Sequence, residues 1–323
     1  MRREGSAFQG ASVVMFKELS DHLTGWRMII AQFLVVLFAI AVVYTGIQQI
    51  REVTAEDPFL LLRLFTRAAE GLPSFVSVLS FVVPLVAIAL GFDLVSGERN
   101  QRTLSRILAQ PIYRDALLFG KFLAGLLTLA IMLVSLWLMV IGLGILMLGQ
   151  PPGAEEVARA AAMLGVTIVY GGIWLALAML FSIVFRSAAT AAFAALGLWL
   201  FLTFLWPMLA PYLAAAFMSD QVATPSDLLN QLGVLQAFSR VSPGALYGEI
   251  VGVLLDPSVR STQQTLLASL GLALVQPGAV PGAPLPLLQS LLIVWPQTVA
   301  MISGAIMLFV IGYVVFQRQE VRA

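Results

Sequence analysis

Six long runs of uncharged, apolar residues decide what this chain can fold into. They are Met28–Ile47, Pro73–Phe92, Phe122–Leu148, Met163–Phe185, Ala188–Tyr212 and Ser290–Phe316, and none contains Lys, Arg, Asp, Glu or His. A helix needs about 20 such residues to cross the ~30 Å hydrocarbon core of a bilayer. A backbone surrounded by lipid must satisfy its own hydrogen bonds, which leaves helices or a closed barrel. The runs are continuous, without the ten-residue alternation of barrel strands, so helices are expected. The predicted fold is all-α and polytopic: one transmembrane domain over residues 1–323 with six spans. Composition agrees, since 60% of residues are hydrophobic and only 11% charged, where soluble domains carry about 25%.

Charge between the runs sets the orientation. Segments 1–27, 93–121, 186–187 and 317–323 hold 12 of the 18 Lys and Arg residues against 7 acidic ones. The alternate segments 48–72, 149–162 and 213–289 hold 6 against 10. The positive-inside rule then places both termini in the cytoplasm, and the expected location is the inner (cytoplasmic) membrane. Arg2 and Arg3 are not followed directly by a signal-peptide core, so the first run reads as a retained signal-anchor.

Two segments outside the runs carry patterns of their own. Phe16, Leu19, Leu23 and Trp26 recur at helical spacing, with Lys17, Glu18 and Asp21 on the other side. This predicts an amphipathic helix over 12–27 lying in the membrane interface; the alternative is a solvated N-terminal helix. Segment 213–289 is too apolar for a flexible loop. Ser226 is placed to cap one short helix, and Ser242-Pro243 and Asp256-Pro257 each pair a cap residue with proline at a first helical position. Three short outer helices on or in the outer leaflet are expected. Thr265–Val275 is apolar but too short to span, so it reads as re-entrant or interfacial, and Gln276–Pro286 as irregular.

The chemistry available is narrow. Cysteine is absent, which removes thiolate catalysis and Cys-based metal sites. The single histidine, His22, cannot supply an H-E-x-x-H zinc site. Gly120-Lys121 is followed by Phe122 and preceded by Asp115 where a P-loop needs its first glycine. A net charge of +1 gives no basic field for nucleic acid. No catalytic residue, metal site or bound cofactor is expected on this chain. The spans also lack the ionisable groups that self-powered carriers use, so any driving energy comes from a partner.

The loop between the second and third runs is the sharpest pattern. It reads Ser96-Gly97-Glu98-Arg99-Asn100-Gln101-Arg102-Thr103-Leu104-Ser105-Arg106-Ile107-Leu108-Ala109-Gln110-Pro111, then Arg114 and Gly120-Lys121. Leu104, Ile107 and Leu108 form one helical stripe and Glu98, Arg102 and Ser105 another, and Pro111 stops the helix. A positive loop lying on lipid headgroups would read the same way.

This pattern resembles the permease subunits of ABC-2-type transporters. The six spans, the interfacial segment, the tight Phe185-Arg186-Ser187 turn, the long segment before the last span and the basic tail (Arg318, Glu320, Arg322) resemble them too. Several branches share the loop, from copper-site-assembly systems for nitrous oxide reductase to drug or lipid exporters, so it indicates the machine and not the cargo. The resemblance implies two permease chains, identical or homologous, each carrying a separate cytoplasmic ATPase subunit that binds ATP and Mg. It implies that 96–112 is a coupling helix seated on the ATPase. Gly97, Glu98, Arg99, Arg102 and Thr103 would then be polar or close contacts, and Leu104, Ile107 and Leu108 apolar anchors. The interfacial helix would be a second contact, in touch with membrane lipid. An exporter path would follow the dimer interface along spans one, two and five, with Pro84, Phe201, Phe204 and Pro207 as candidates for a gate or lining. The rival reading is a scaffold, or a force-transmitting subunit acting on an extracytoplasmic partner through 213–289. A stand-alone carrier and an intramembrane hydrolase are disfavoured.

Overall fold

The computed structural model describes residues 7–51, 59–66, 73–101, 114–149, 151–218, 225–269 and 284–319. Nearly all of these are helical, and no strand occurs among them. α1 (Ala7–Thr24) leads into α2 (Trp26–Arg51), α3 (Leu60–Thr66), α4 (Phe75–Gly91) and the short α5 (Ser96–Asn100). Two long helices follow, α6 (Arg114–Leu148) and α7 (Ala154–Val184). The next crossing is composite: α8 (Ala188–Leu200), a π-helical turn (Phe201–Leu205) and α9 (Trp206–Ala215). α10 (Pro225–Ser239), α11 (Pro243–Leu255) and α12 (Thr262–Ser269) precede the last helix, α13 (Leu287–Arg318). Six of the described helical stretches are long and apolar enough to cross a membrane, so the chain is an all-α, multi-pass membrane protein.

The helices outrun the apolar sequence that predicts them. α6 begins well before Phe122 and takes in Asp115 and Lys121; α7 begins before Met163 and takes in Glu155, Glu156 and Arg159. Helix-start chemistry explains the extension of α7. Glu156 Oε2 accepts from the Gly153 N–H at 2.8 Å, reaching back to the residue that caps its own helix. Its Oε1 accepts from the Leu61 N–H at 2.9 Å and so also serves the exposed amides of α3. Ser74 caps α4 by accepting from the Ser77 N–H.

α7 is the axis of the core. Trp174, Tyr170, Leu175, Ala176 and Ala178 are almost wholly buried along it, and it packs against α4, α6, α8, α11 and α13. Gly91 of α4 sits where an added Cβ would lie 2.7 Å from Ala178 Cβ and 3.0 Å from the Leu175 carbonyl. The α4–α7 crossing therefore depends on a residue without a side chain.

Segment 213–289 departs from its sequence expectation in three ways. α11 does not lie on a surface: Tyr247, Ile250, Val251, Val253 and Leu254 are buried in the main core. An apolar helix of 13 residues has too little length to span, and it gains its burial by filling the space between α7 and α13. Ser226 is not the cap of α10, which already starts at Pro225. Asp256-Pro257 starts no helix. Asp256 ends α11, and its Oδ1 accepts from the Ser258 N–H and Oγ in a turn, as short acidic side chains readily do. Only Ser242-Pro243 stands as read, in cap and first-turn positions of α11. Residues 270–283, with most of the expected re-entrant and irregular segments, lie outside the described residues.

Candidate functional site

α5 sits at the end of the bundle where the start of α6 and the ends of α7 and α13 meet. Its backbone is fixed by α7: the N–H groups of Val95 and Ser96 both donate to Ser182 Oγ at 3.0 Å, and Ser182 is fully buried. Ser96 Oγ in turn donates to the Phe92 carbonyl. Arg99 Nη2 donates to Gln319 Oε1 at 2.6 Å, and Gln319 Nε2 donates to the Ile183 carbonyl at 3.0 Å. The end of α13 is thereby fastened to both α5 and α7.

The third fastening is ionic. Lys121 of α6, only 2% exposed, lies 2.7 Å from Glu98 Oε1 and 3.1 Å from Glu18 Oε1. One ammonium therefore bridges α1 and α5. Glycine prepares the approach. A Cβ on Gly120 would lie 2.7 Å from the Ala11 carbonyl and 2.9 Å from Val14 Cβ, so α1 can come close only where that side chain is missing. Ala11, Val14 and Glu18, at spacings of three and four residues, form the face of α1 turned to α6. A buried lysine without a partner would be costly; two carboxylates compensate it.

The titration of neighbouring groups follows. Burial works to raise the Glu18 carboxyl, but the charge of Lys121, with help from Lys17, holds it below the ordinary carboxylate range. Burial opposes the charged form of Lys17, yet Asp21 at 2.8 Å and Glu18 at 3.0 Å keep its ammonium above the usual value. His22, whose Nδ1 lies 3.3 Å from Thr128 Oγ1 on α6, is pushed down by burial first and by Lys121, against the pull of Glu18, Asp93 and Asp21.

The sequence-predicted residues divide clearly. Gly97, Glu98 and Arg99 belong to α5, and the last two direct their charges inward to Lys121 and Gln319. Arg102, Thr103, Leu104, Ile107 and Leu108 lie outside the described residues. In α1, Phe16 and Leu23 point away from the bundle at 64% and 45% exposure, and Leu19 is half-buried. Trp26, strongly exposed, opens α2. Glu18 corrects the expected amphipathic split: it faces protein, not solvent.

Of the four gate candidates, Phe201, Phe204 and Pro207 lie in or beside the π turn. There the Trp206 N–H bonds to the Phe201 carbonyl, five residues back, a widened turn often found at functional positions. Pro84 is elsewhere, buried in α4, and the Ser80 carbonyl one turn before it accepts from the Tyr170 hydroxyl at 3.0 Å. Phe81 links the two regions, packing edge-on against Trp199 and Phe204 with centroids 4.8 and 6.1 Å away.

Residues that sequence reasoning missed are Glu18, Ser182, Gln319 and the partner role of Lys121. Gly120-Lys121 was visible as a pair, but nothing local says which carboxylates a lysine meets across the bundle. The opposite end holds two further hubs. Arg159, fully buried, donates to the carbonyls of Leu254 and Leu285, to Ser290 Oγ and to Glu155. Glu249 accepts from Gln236, Arg240 and Gln297.

Residues 12–321 match the family described as ABC-2 family transporter protein. Among curated relatives, the chain is 29% identical over 198 residues to the "Probable ABC transporter permease protein NosY" of Pseudomonas aeruginosa, covering 59% of this chain and 66% of that protein. It is 27% identical over 184 residues to the protein of the same name from Stutzerimonas stutzeri, covering 57% and 63%. In both cases the alignment spans less than two thirds of the relative's length. With the family match running over nearly the whole chain, and six helices fit to cross a membrane, the chain belongs to the ABC-2 family of transporter proteins.

Proposed function

We propose that the chain is the membrane-spanning permease subunit of an ATP-driven ABC exporter. It works as a single transmembrane domain in the cytoplasmic membrane, with both termini inside. The observation that carries this reading is the fastening of α5 to α1, α6, α7 and α13 at once. A loop leaving α5 and pushed by a partner would move those helices as a body, which is how rigid-body switching transmits force. The partner is a cytoplasmic ATPase subunit, two copies per pair of permease chains, and it holds the ATP and Mg. Residues 96–112 dock on it, with Leu104, Ile107 and Leu108 as apolar anchors inside a polar rim. The permease names of the two relatives support the same reading.

A mild-detergent pull-down of the tagged chain, with an ATPase assay, tests this. Co-purification of a P-loop subunit with vanadate-sensitive hydrolysis is expected. Repeated recovery of the chain alone, inert towards ATP, would reject the reading. A second reading has its own support: α10–α12 are tied to α7 and α13 through Arg159 and Glu249, so motion of the spans would reach that block. Such a subunit would pull on an extracytoplasmic partner without passing a solute. ATP-dependent crosslinking of the α10–α12 block to another chain, with no solute flux, would favour it.

A further inference from the structure

We propose that Lys121 is a positioning residue that makes the surface helix α1 and the short helix α5 one mechanical unit. Only the consequence for transport rests on the permease reading above; the joint itself is a property of this chain.

α1 and α5 share no sequence neighbourhood; Lys121 joins them across α6, beside a buried apolar cluster that holds Val14 of α1 with Leu94 and Val95. Lys121 Nζ holds Glu18 of α1 at 3.1 Å and Glu98 of α5 at 2.7 Å, almost completely shielded from water. Ion pairs on a surface contribute little; a buried one is different, because removing one partner strands the others. Without the ammonium, Glu18 keeps Lys17 of its own helix at 3.0 Å, but Glu18 and Glu98 lose the counterion they share, and two carboxylates drawn to one point repel each other, which loosens α1 against α5. The remaining fastenings of α5, to Ser182 and Gln319, run to α7 and α13 and do not involve α1. The ionic bridge is thus the polar link between these two elements, added to the apolar packing of α1 on α6. Glu98 and Arg99 hold α5 in place, so a partner pressing on 96–112 acts on a segment already fastened to the bundle. Two segments the family resemblance treats as separate ATPase contacts would report to each other through Lys121, so displacement of one displaces the other.

The absence of cysteine makes the test clean. Ser20→Cys on α1 and Asn100→Cys on α5, both exposed, carry spin labels across the joint in the full-length chain in nanodiscs. Ala154→Cys and Leu288→Cys, exposed at the other end, serve as a reference pair. A single narrow distance is expected in the parent and in Lys121→Arg. Lys121→Met should broaden the α1–α5 distribution to about twice its width or more, because Glu18 and Glu98 no longer share a counterion. The reference pair should stay unchanged. An unchanged α1–α5 distribution in Lys121→Met would overturn the proposal. Broadening of both pairs would overturn it as well, since Lys121 would then support the whole fold and not this joint. With the ATPase partner present, Lys121→Met should keep the partner bound while hydrolysis loses its response to the permease. If the distances behave as expected but no ATPase ever co-purifies, the permease reading fails and the joint stands.

Discussion

Pro84 has no N–H, so the carbonyl four residues before it, that of Ser80, has no partner within α4. The hydroxyl of Tyr170 on α7 occupies that vacancy at 3.0 Å, and its ring stacks on Tyr247 with centroids 4.5 Å apart. The carbonyl left over by the proline is thereby satisfied from a neighbouring helix, which argues for Pro84 as a fixed, packed position and not a gate. Tyr170→Phe keeps the stack and loses the donor, and should cost about 1 kcal/mol of stability. In a Pro84→Ala background the new amide can satisfy Ser80, so the same change should cost clearly less in thermal unfolding. Equal costs in the two backgrounds would show that the hydroxyl does not serve the proline. His22 gives a prediction of opposite character. Burial holds its folded-state pKa below the ordinary imidazole value, so the unfolded chain takes up the proton first as pH falls. Stability contributed by neutral His22 is present above about pH 6.5, the unpaired value, and is lost as pH drops towards the folded pKa. An unfolding series from pH 7.5 to pH 5 should show this loss, on the order of one step in the profile, and His22→Gln should flatten it. A profile unchanged by that substitution would contradict the assignment.

At the scale of elements, close approach is set by glycine as much as by apolar surface. Gly91→Ala forces a Cβ against Ala178 and the Leu175 carbonyl, and should cost about 1–3 kcal/mol. Gly165→Ala, in the same bundle with open space around it, should be neutral or stabilise by up to about 1 kcal/mol through helix propensity. A thermal-shift comparison of the two decides whether α4 and α7 are in contact as described. The sequence was legible here in one respect: six uncharged runs gave six crossings, because hydrocarbon tolerates few alternatives. It was illegible where tertiary partners decide. Lys121 and Arg159 look like loop charges by sequence, yet they lie inside α6 and α7, since a helix continues as long as its charges find partners. α11 reads as a short helix on or in the outer leaflet, whereas it lies in the core, with its Glu249 accepting from Gln236, Arg240 and Gln297. Gly-Glu-Arg reads as a surface contact for a partner, whereas Glu98 and Arg99 turn inward to Lys121 and Gln319. Motif reading alone cannot assign the direction of a side chain.

Across the whole molecule, an apolar middle is held by ionic hubs at its two ends: Lys121 at one, Arg159 and Glu249 at the other. The distribution is physical. Charges are least costly near the membrane boundary, and one buried cation with several acceptors can tie together several helix ends at once. Arg159 is the most connected, joining the end of α11 and the entry to α13 with α7. Arg159→Met removes these donors while keeping much of the volume, leaving the Leu254 and Leu285 carbonyls and Ser290 short of their partner. The expected cost is on the order of 3 kcal/mol. Glu155→Gln, at a side chain that is half exposed, should cost less than about 1 kcal/mol. Hydrogen exchange would separate a local from a global effect. In Arg159→Met, amides of α11 and the first turns of α13 should lose protection, while α1 and the first turns of α6 keep theirs. Uniform loss would mean that the two ends are not independently held. If it is confined to α11 and α13, the variant becomes a tool: ATPase coupling at the Lys121 end should persist, and any force delivered through α10–α12 should vanish. Under the permease reading, normal hydrolysis by the ATPase partner with solute flux retained would assign transport to the spans; normal hydrolysis with crosslinking of the α10–α12 block to another chain lost would assign the output to that block.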